Sequence, residues 1–225
     1  MNLTFLDNPG WHALNSHHRQ LAIWSKSAVR YQPGTLMAAA MQANDGPGFN
    51  DLRNLVEIGE AIGILGILPK ELPAWEIVDS NVLPQMICDN LQPAHPVDAI
   101  RLTTDDVPDM LNLIALAQPG PFHARTIEMG NYLGIRQNGK LVAMAGERLH
   151  LTGYCEVSAV CTHPDYRGRG YGGALTTMVA EMISARGETP FLHVAPTNEG
   201  ARRLYEKLGF RLRKEVQITI LKRLA

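Results

Sequence analysis

The chain has 225 residues, 45% of them hydrophobic and 19% charged, a globular composition that leaves room for one domain with a large extension or for two modest lobes. Its 21 Lys and Arg against 22 Asp and Glu leave a formal net charge of -1, so no cationic excess is available to displace counterions from a phosphate backbone and nucleic acid is not an expected partner. The start, MNLTFLDNPG, lacks the basic flank and apolar run of a secretory leader, and the most apolar stretch, Ala61 to Leu68, is too short to span a bilayer; the expectation is a cytoplasmic protein with no membrane contact.

In chain order, a helix is predicted over Trp11 to Gln20, then short strands around Ala28 to Tyr31 and Leu36 to Met41. A glycine-rich loop follows at Asn44 to Gly48, and a helix from about Asn50 to Ile62, with Asn50 or Asp51 as N-cap. The two prolines of LQPAHPVD, between Asn90 and Asp98, interrupt either kind of regular element and set the expected boundary between residues 1–97 and 98–225.

Beyond it, Ala99 to Leu102 reads as a strand, and Thr103 or Thr104 caps a helix carrying Val107, Met110, Leu111, Ile114 and Leu116 near helical spacing. Asn131 to Arg136 and Lys140 to Leu149 read as a hairpin, because Asn138-Gly139 accepts the positive φ angles of a tight turn. Glu156 to Thr162 is a strand. A helix from about Gly172 presents Leu175, Met178, Val179, Met182 and Ile183 on one face and stops at Gly187. A strand at Pro190 to Ala195, a helix at Glu199 to Leu208 and a strand pair over Phe210 to Leu221 complete an α/β (α+β) pattern with a mostly antiparallel sheet.

Cys88, Cys155 and Cys161 form no CxxC pair, and the scattered histidines, including the neighbours His17 and His18, show no metal-ligand spacing, so neither a disulfide framework nor a metal is expected. The densest chemical signal lies at Glu156 to Gly173. There a strand meets a glycine-rich loop that opens a helix, so unpaired first-turn amides and the positive end of the helix dipole face outward together. Such a terminus binds anions. Gly168, Gly170 and Gly172 permit close backbone approach, and Arg167 and Arg169 add positive charge. Gly168, Gly170 and Gly173 also fit GxGxxG by letter, but His163 to Tyr166 intervene after the strand and too little chain follows for a dinucleotide fold; a Walker loop would need Lys-Ser or Lys-Thr where Tyr171-Gly172 stands.

Val160-Cys161-Thr162-His163-Pro164, followed by Arg167-Gly168-Arg169-Gly170-Tyr171-Gly172, resembles the acetyl-CoA signature of the GNAT superfamily of N-acetyltransferases. Asn198, Ala201, Leu204, Tyr205, Leu208, Gly209 and Phe210 are similar to that superfamily's second motif, on its last helix. The resemblance covers roughly residues 98–225. It implies the acyl-CoA N-acyltransferase fold, with acetyl-CoA as cosubstrate. It also implies that Val160, Cys161 and Thr162 supply backbone to the pantetheine arm, while Arg167, Gly168, Arg169, Gly170, Tyr171, Gly172 and Gly173 hold the pyrophosphate. Asn198 serves as helix cap, as a contact to the cofactor arm, or as both.

By the same resemblance Glu156 is the candidate base that takes the proton of the attacking amine, directly or through water, the other reading being a solvent-facing strand-end glutamate. Tyr205 is the candidate acid for the departing sulfur, or else a core tyrosine on the apolar face of its helix. His193 either points into the cleft or is a satisfied core histidine, and Cys161 is a small core residue rather than an acyl carrier. The expected reaction moves the acetyl group to a primary amine of a small molecule or peptide. The alternative is a non-catalytic acyl-CoA sensor. Residues 1–97 carry no catalytic motif; they are expected to shape the acceptor pocket, to form a homodimer interface, or to be a degenerate GNAT-like lobe.

Overall fold

The computed structural model describes residues 2–225, which form a single sheet of 11 strands in the order β1-β2-β3-β4-β11-β5-β10-β9-β8-β7-β6. The first part of the chain supplies β1 (Ala22–Ser25), β2 (Ala28–Tyr31), β3 (Ala38–Met41), β4 (Ala61–Leu65) and β5 (Trp75–Cys88). The second supplies β6 (Ile100–Arg101), β7 (Tyr132–Gln137), β8 (Lys140–Leu151), β9 (Tyr154–Thr162), β10 (Thr189–His193) and β11 (Phe210–Arg223). Five α-helices accompany them: α1 (Pro9–Leu14), α2 (Gly46–Leu52), α3 (Val107–Ala117), α4 (Tyr171–Ala185) and α5 (Glu199–Lys207). Among the described residues no helix is long and apolar enough to cross a membrane.

Several elements follow the expected chemistry. Asn138 and Gly139 take φ of 50° and 79°, closing the β7–β8 hairpin. Thr103 and Asp106 form a reciprocal capping box before α3. Leu175, Val179 and Ile183, fully buried at intervals of one turn, seat α4 on the sheet, and each contributes roughly 1.5–3 kcal/mol through burial. Alternation along the strands puts α4 and α5 on one face and α1 and α3 on the other: Leu133 and Leu192 belong to the core beneath α4, whereas Tyr132 packs with α3 residues and Phe191 with α1 residues.

Other expectations are corrected. The first helix ends at Leu14, because Asn15 and Ser16 turn their side chains back onto the carbonyls of Trp11 and His12 and compete with the helical ladder. The glycine-rich segment at residues 44–48 is the start of α2, with Asp45 rather than Asn50 or Asp51 as N-cap, accepting from the Gly48 amide at 2.8 Å. The helix expected to run to Ile62 stops at Leu52, and Ala61–Leu65 is a strand. Phe210–Arg223 is one continuous strand, not a pair; its partners are β4 and β5, both antiparallel. Ala22–Ser25 and Trp75–Cys88 are strands without a prior expectation.

The insertion of β5 between β10 and β11 bears directly on the site. Phe191, Leu192 and His193 pair with Ile87, Met86 and Gln85, while thirteen positions of β5 pair with β11. The segment between β5 and β6, where the lobe boundary was expected, is irregular, yet the sheet does not break there.

Candidate active site

β9 and β10 run parallel and pair at Tyr154–Thr189, Cys155–Pro190 and Glu156–Phe191, after which they part. From Val157 onward β9 has no strand neighbour on that side among the described residues, and a cavity of about 1130 Å³ opens between the two strands. Ala159, with φ of 53°, and the register shift between Met144 and Gly146 mark a bulge that turns this free segment out of the regular ladder. Val160, Cys161 and Thr162 line the cavity just past the bulge.

At one end lies the loop from Arg167 to Gly173. Gly168 and Gly170 adopt φ of 78° and 79°, and a Cβ at either would meet nothing within 4 Å, so these glycines answer a backbone requirement and leave open space beside the chain. α4 has no side-chain cap, and its first i to i−4 bond is Ala174 N–H to Gly170 O. The amides of Tyr171, Gly172 and Gly173 are therefore free of helical partners at the positive end of a 15-residue helix. The Arg169 guanidinium lies 4.8 Å from the Tyr166 ring centroid, and neither Arg167 nor Arg169 is ion-paired among the described residues. Open backbone, free amides and unpaired cations together fit a pyrophosphate.

Across the cavity, Asn198 caps α5 by accepting from the Ala201 amide at 3.0 Å, and it also lines the cleft. Tyr205 is 8% exposed and packs near Phe210, yet among the described residues its hydroxyl forms no hydrogen bond. Burial pushes that phenol up to about 12, so it is protonated at neutral pH and able to donate. Cys161 is buried and its thiol is likewise pushed up to about 12 by burial, which leaves it un-ionised and a poor nucleophile. All three cysteines are free.

Glu156 lies behind the cleft wall rather than in it. Its side chain is fully buried, and Arg148 Nε and Nη2 donate to it at 2.8 and 2.7 Å, while His193 Nδ1 donates to Oε1 at 2.7 Å. Burial alone would raise its pKa; the Arg148 guanidinium and the His193 bond outweigh burial and hold the carboxyl well below the usual carboxylate range. Arg148 and His193 reach the cleft and Glu156 does not. Gln85 completes the group: its Oε1 accepts from Arg213, so its amide nitrogen donates to the Leu6 carbonyl at 2.9 Å and to His193 Nε2 at 3.1 Å. His193 is thereby held with its proton on Nδ1 and a lone pair on Nε2.

Sequence reasoning singled out neither Arg148 nor Gln85. The available signal was the run Glu147-Arg148 within an otherwise apolar strand, a place where charge is costly unless paired. His17, which by spacing alone pointed to no metal, stacks on His150 with ring centroids 3.9 Å apart and lies within reach of Glu188. That carboxylate lies 2.7 Å from His150 Nε2 and accepts from Arg186 Nε at 3.1 Å.

The model for FR47-like proteins matches residues 132–218. The [ribosomal protein bS18]-alanine N-acetyltransferase of Escherichia coli is 31% identical over 115 residues, which is 48% of this chain and 77% of that protein. The N-alpha-acetyltransferase RimI of Mycobacterium tuberculosis is 37% identical over 83 residues, 36% of this chain and 51% of the relative. A solved GNAT-family protein from Novosphingobium aromaticivorans superposes with a TM-score of 0.88 at 34% identity, covering 98% of this chain and 99% of the other.

Proposed function

Because the chain belongs to the GNAT family of acetyl-CoA-dependent N-acetyltransferases, we propose that it moves the acetyl group of acetyl-CoA to a primary amine of a small molecule or peptide by direct attack in the cleft between β9 and β10. The observation that carries this function is Tyr205, whose hydroxyl has no hydrogen-bond partner among the described residues and which lines the same cavity as the Arg167–Gly173 loop. Acetyl-CoA supplies the activated thioester. The chain's own residues bind it, orient it and handle two protons.

Arg167, Arg169 and the first-turn amides of α4 hold the pyrophosphate, and the free edge of β9 from Val157 to Thr162 meets the arm as a neighbouring strand would. The Val160 N–H, beyond the last β10 pair, faces charge developing on the thioester oxygen. Tyr205 donates its proton toward the leaving sulfur and is restored by the second proton that the nitrogen loses as the amide forms. An ordinary alkylammonium must lose a proton before it attacks, and His193 Nε2 takes it in exchange for the Gln85 bond. Glu156 is then a positioning residue: it fixes the tautomer of His193 and stabilises the imidazolium, while its own oxygens, held by Arg148, remain too weakly basic to serve. The two relatives act, as their names state, on an alanine of a ribosomal protein and on an α-amine, which supports an α-amino acceptor here.

The test is a thiol-release assay with acetyl-CoA and a panel of amines, with the N-acetyl product identified by mass. Release matched by product establishes the transferase. Tight CoA binding without turnover on any amine would favour the acyl-CoA sensor.

A further inference from the structure

The cleft extends beyond the cofactor end, and this further half is built by strands that carry no acetyl-CoA motif. In the antiparallel registers Gly63 faces Ile220 and Leu65 faces Ile218, and partners in register share a sheet face. These four residues make an apolar wall along the cavity, and Ala38, paired with Gly63, extends it. A Cβ on Gly63 would come within 3.1 Å of the Met37 carbonyl and 3.5 Å of Ile220 Cδ1, so the glycine keeps the wall hollow at that point.

Among the described residues no aspartate or glutamate lines the cavity; its charged side chains there are Arg148, Arg167 and Arg169. A polyamine or aminoglycoside would bring several positive charges to a cleft with nothing to neutralise them. Arg148 offers the opposite. Its Nε and Nη2 are engaged by Glu156, but Nη1 makes no hydrogen bond among the described residues, and the side chain is 20% exposed. Arg148 and His193 both donate to Oε1 of Glu156, so the open guanidinium edge lies next to the imidazole. The remaining N–H groups of a guanidinium can donate to a second carboxylate.

We propose that the acceptor is an α-amino acid with an aliphatic or aromatic side chain: its carboxylate meets Arg148, its amine lies beside His193, and its side chain rests on the wall of Gly63, Leu65, Ile218 and Ile220. The adjacency of anion site and proton acceptor selects an amine and a carboxylate on the same carbon. The Arg148–Glu156 pair is already neutral, so a zwitterion enters without adding net charge. The proposal rests on the transferase function of the same cleft and narrows its acceptor.

Two readouts separate the two ideas. With CoA present, calorimetry compares leucine and phenylalanine with leucinamide, a leucyl dipeptide and spermidine; thiol release from acetyl-CoA is then measured for the same compounds. The expected result is binding of leucine or phenylalanine, with kcat/KM at least roughly tenfold above leucinamide, the loss associated with one charge-assisted contact, and no use of spermidine. Ile218→Trp, which fills the apolar wall, should raise KM for the amino acid and leave KM for acetyl-CoA unchanged. Equal or better binding and use of leucinamide, the dipeptide or spermidine overturns the proposal, as does failure of every carboxylate-bearing apolar amine to bind. Amino-acid binding without thiol release would instead sustain the acceptor site and overturn the transferase function.

Discussion

His193 Nδ1 donates to Glu156 Oε1 at 2.7 Å across 37 residues of sequence, where β9 and β10 make their last pair. If the imidazole is the proton acceptor, His193→Gln should lower kcat by about 10²–10⁴-fold at neutral pH. The loss should shrink as pH rises, because an amine already deprotonated in solution needs no base. A pH-rate profile of the variant checks this. An unchanged profile would return the proton to a water chain.

Glu156→Gln should act on stability as well as rate. It leaves the Arg148 guanidinium in a buried site without its anion, a change that typically costs about 3–5 kcal/mol. The double variant Arg148→Met, Glu156→Met should be more stable than either single one, since it removes both charges together. Urea denaturation of the wild type, Glu156→Gln, the two single Met variants and the double variant decides this, and the double variant should still be inactive.

What was legible in the sequence is what is local. The loop at 167–173, the Asn138-Gly139 turn and the apolar stripe of α4 each depend on residues close in the chain, and each stands where its chemistry put it. β5 was not legible, because Asp79-Ser80-Asn81 and Pro84 carry turn chemistry and half the strand is exposed; its strand conformation comes from pairing with β11, more than a hundred residues away. The Arg148–Glu156–His193–Gln85 network draws its members from β8, β9, β10 and β5. Spacing reports periodicity within one element and carries nothing about which strands become neighbours.

Tyr205→Phe removes a hydroxyl that has no hydrogen-bond partner among the described residues, so the fold should lose little. Turnover should fall on the order of ten- to a thousandfold, with KM for acetyl-CoA nearly unchanged, because the hydroxyl matters when charge develops on the departing sulfur. Steady-state kinetics beside a thermal melt test both halves. Full turnover in a folded variant would make Tyr205 a packing residue.

Gly170→Asp combines two costs at one position. The φ of 79° is unfavourable for a side-chain residue by roughly 1–2 kcal/mol, and the carboxylate would face the phosphates. Gly170→Ala carries only the first cost, since its Cβ meets nothing. Titration with CoA should therefore show a modest loss for Ala and a loss of roughly a hundredfold or more for Asp. Equal affinities for the two variants would move the pyrophosphate away from this loop.

His18 gives stability a pH dependence separate from catalysis. It is buried, Nε2 lies 2.9 Å from the Met129 carbonyl and Nδ1 2.9 Å from the Tyr31 hydroxyl, a pattern met by the neutral ring with its proton on Nε2. Burial, aided by the nearby His150 and His17, pushes its pKa down from 6.5 to about 4, although the Met129 bond and Glu156 act the other way. The unfolded chain then binds a proton between about pH 6.5 and 4 that the folded chain refuses. Stability from this group is complete above pH 6.5 and is lost progressively as pH falls toward 4, by about 3 kcal/mol at roughly 1.4 kcal/mol per pH unit. His18→Gln, which retains a donor for Met129 but does not titrate, should start less stable at pH 8 and lose less between pH 7 and 5. Chemical denaturation of both proteins at pH 5, 6, 7 and 8 measures the two slopes, and parallel slopes would assign the acid sensitivity to other groups.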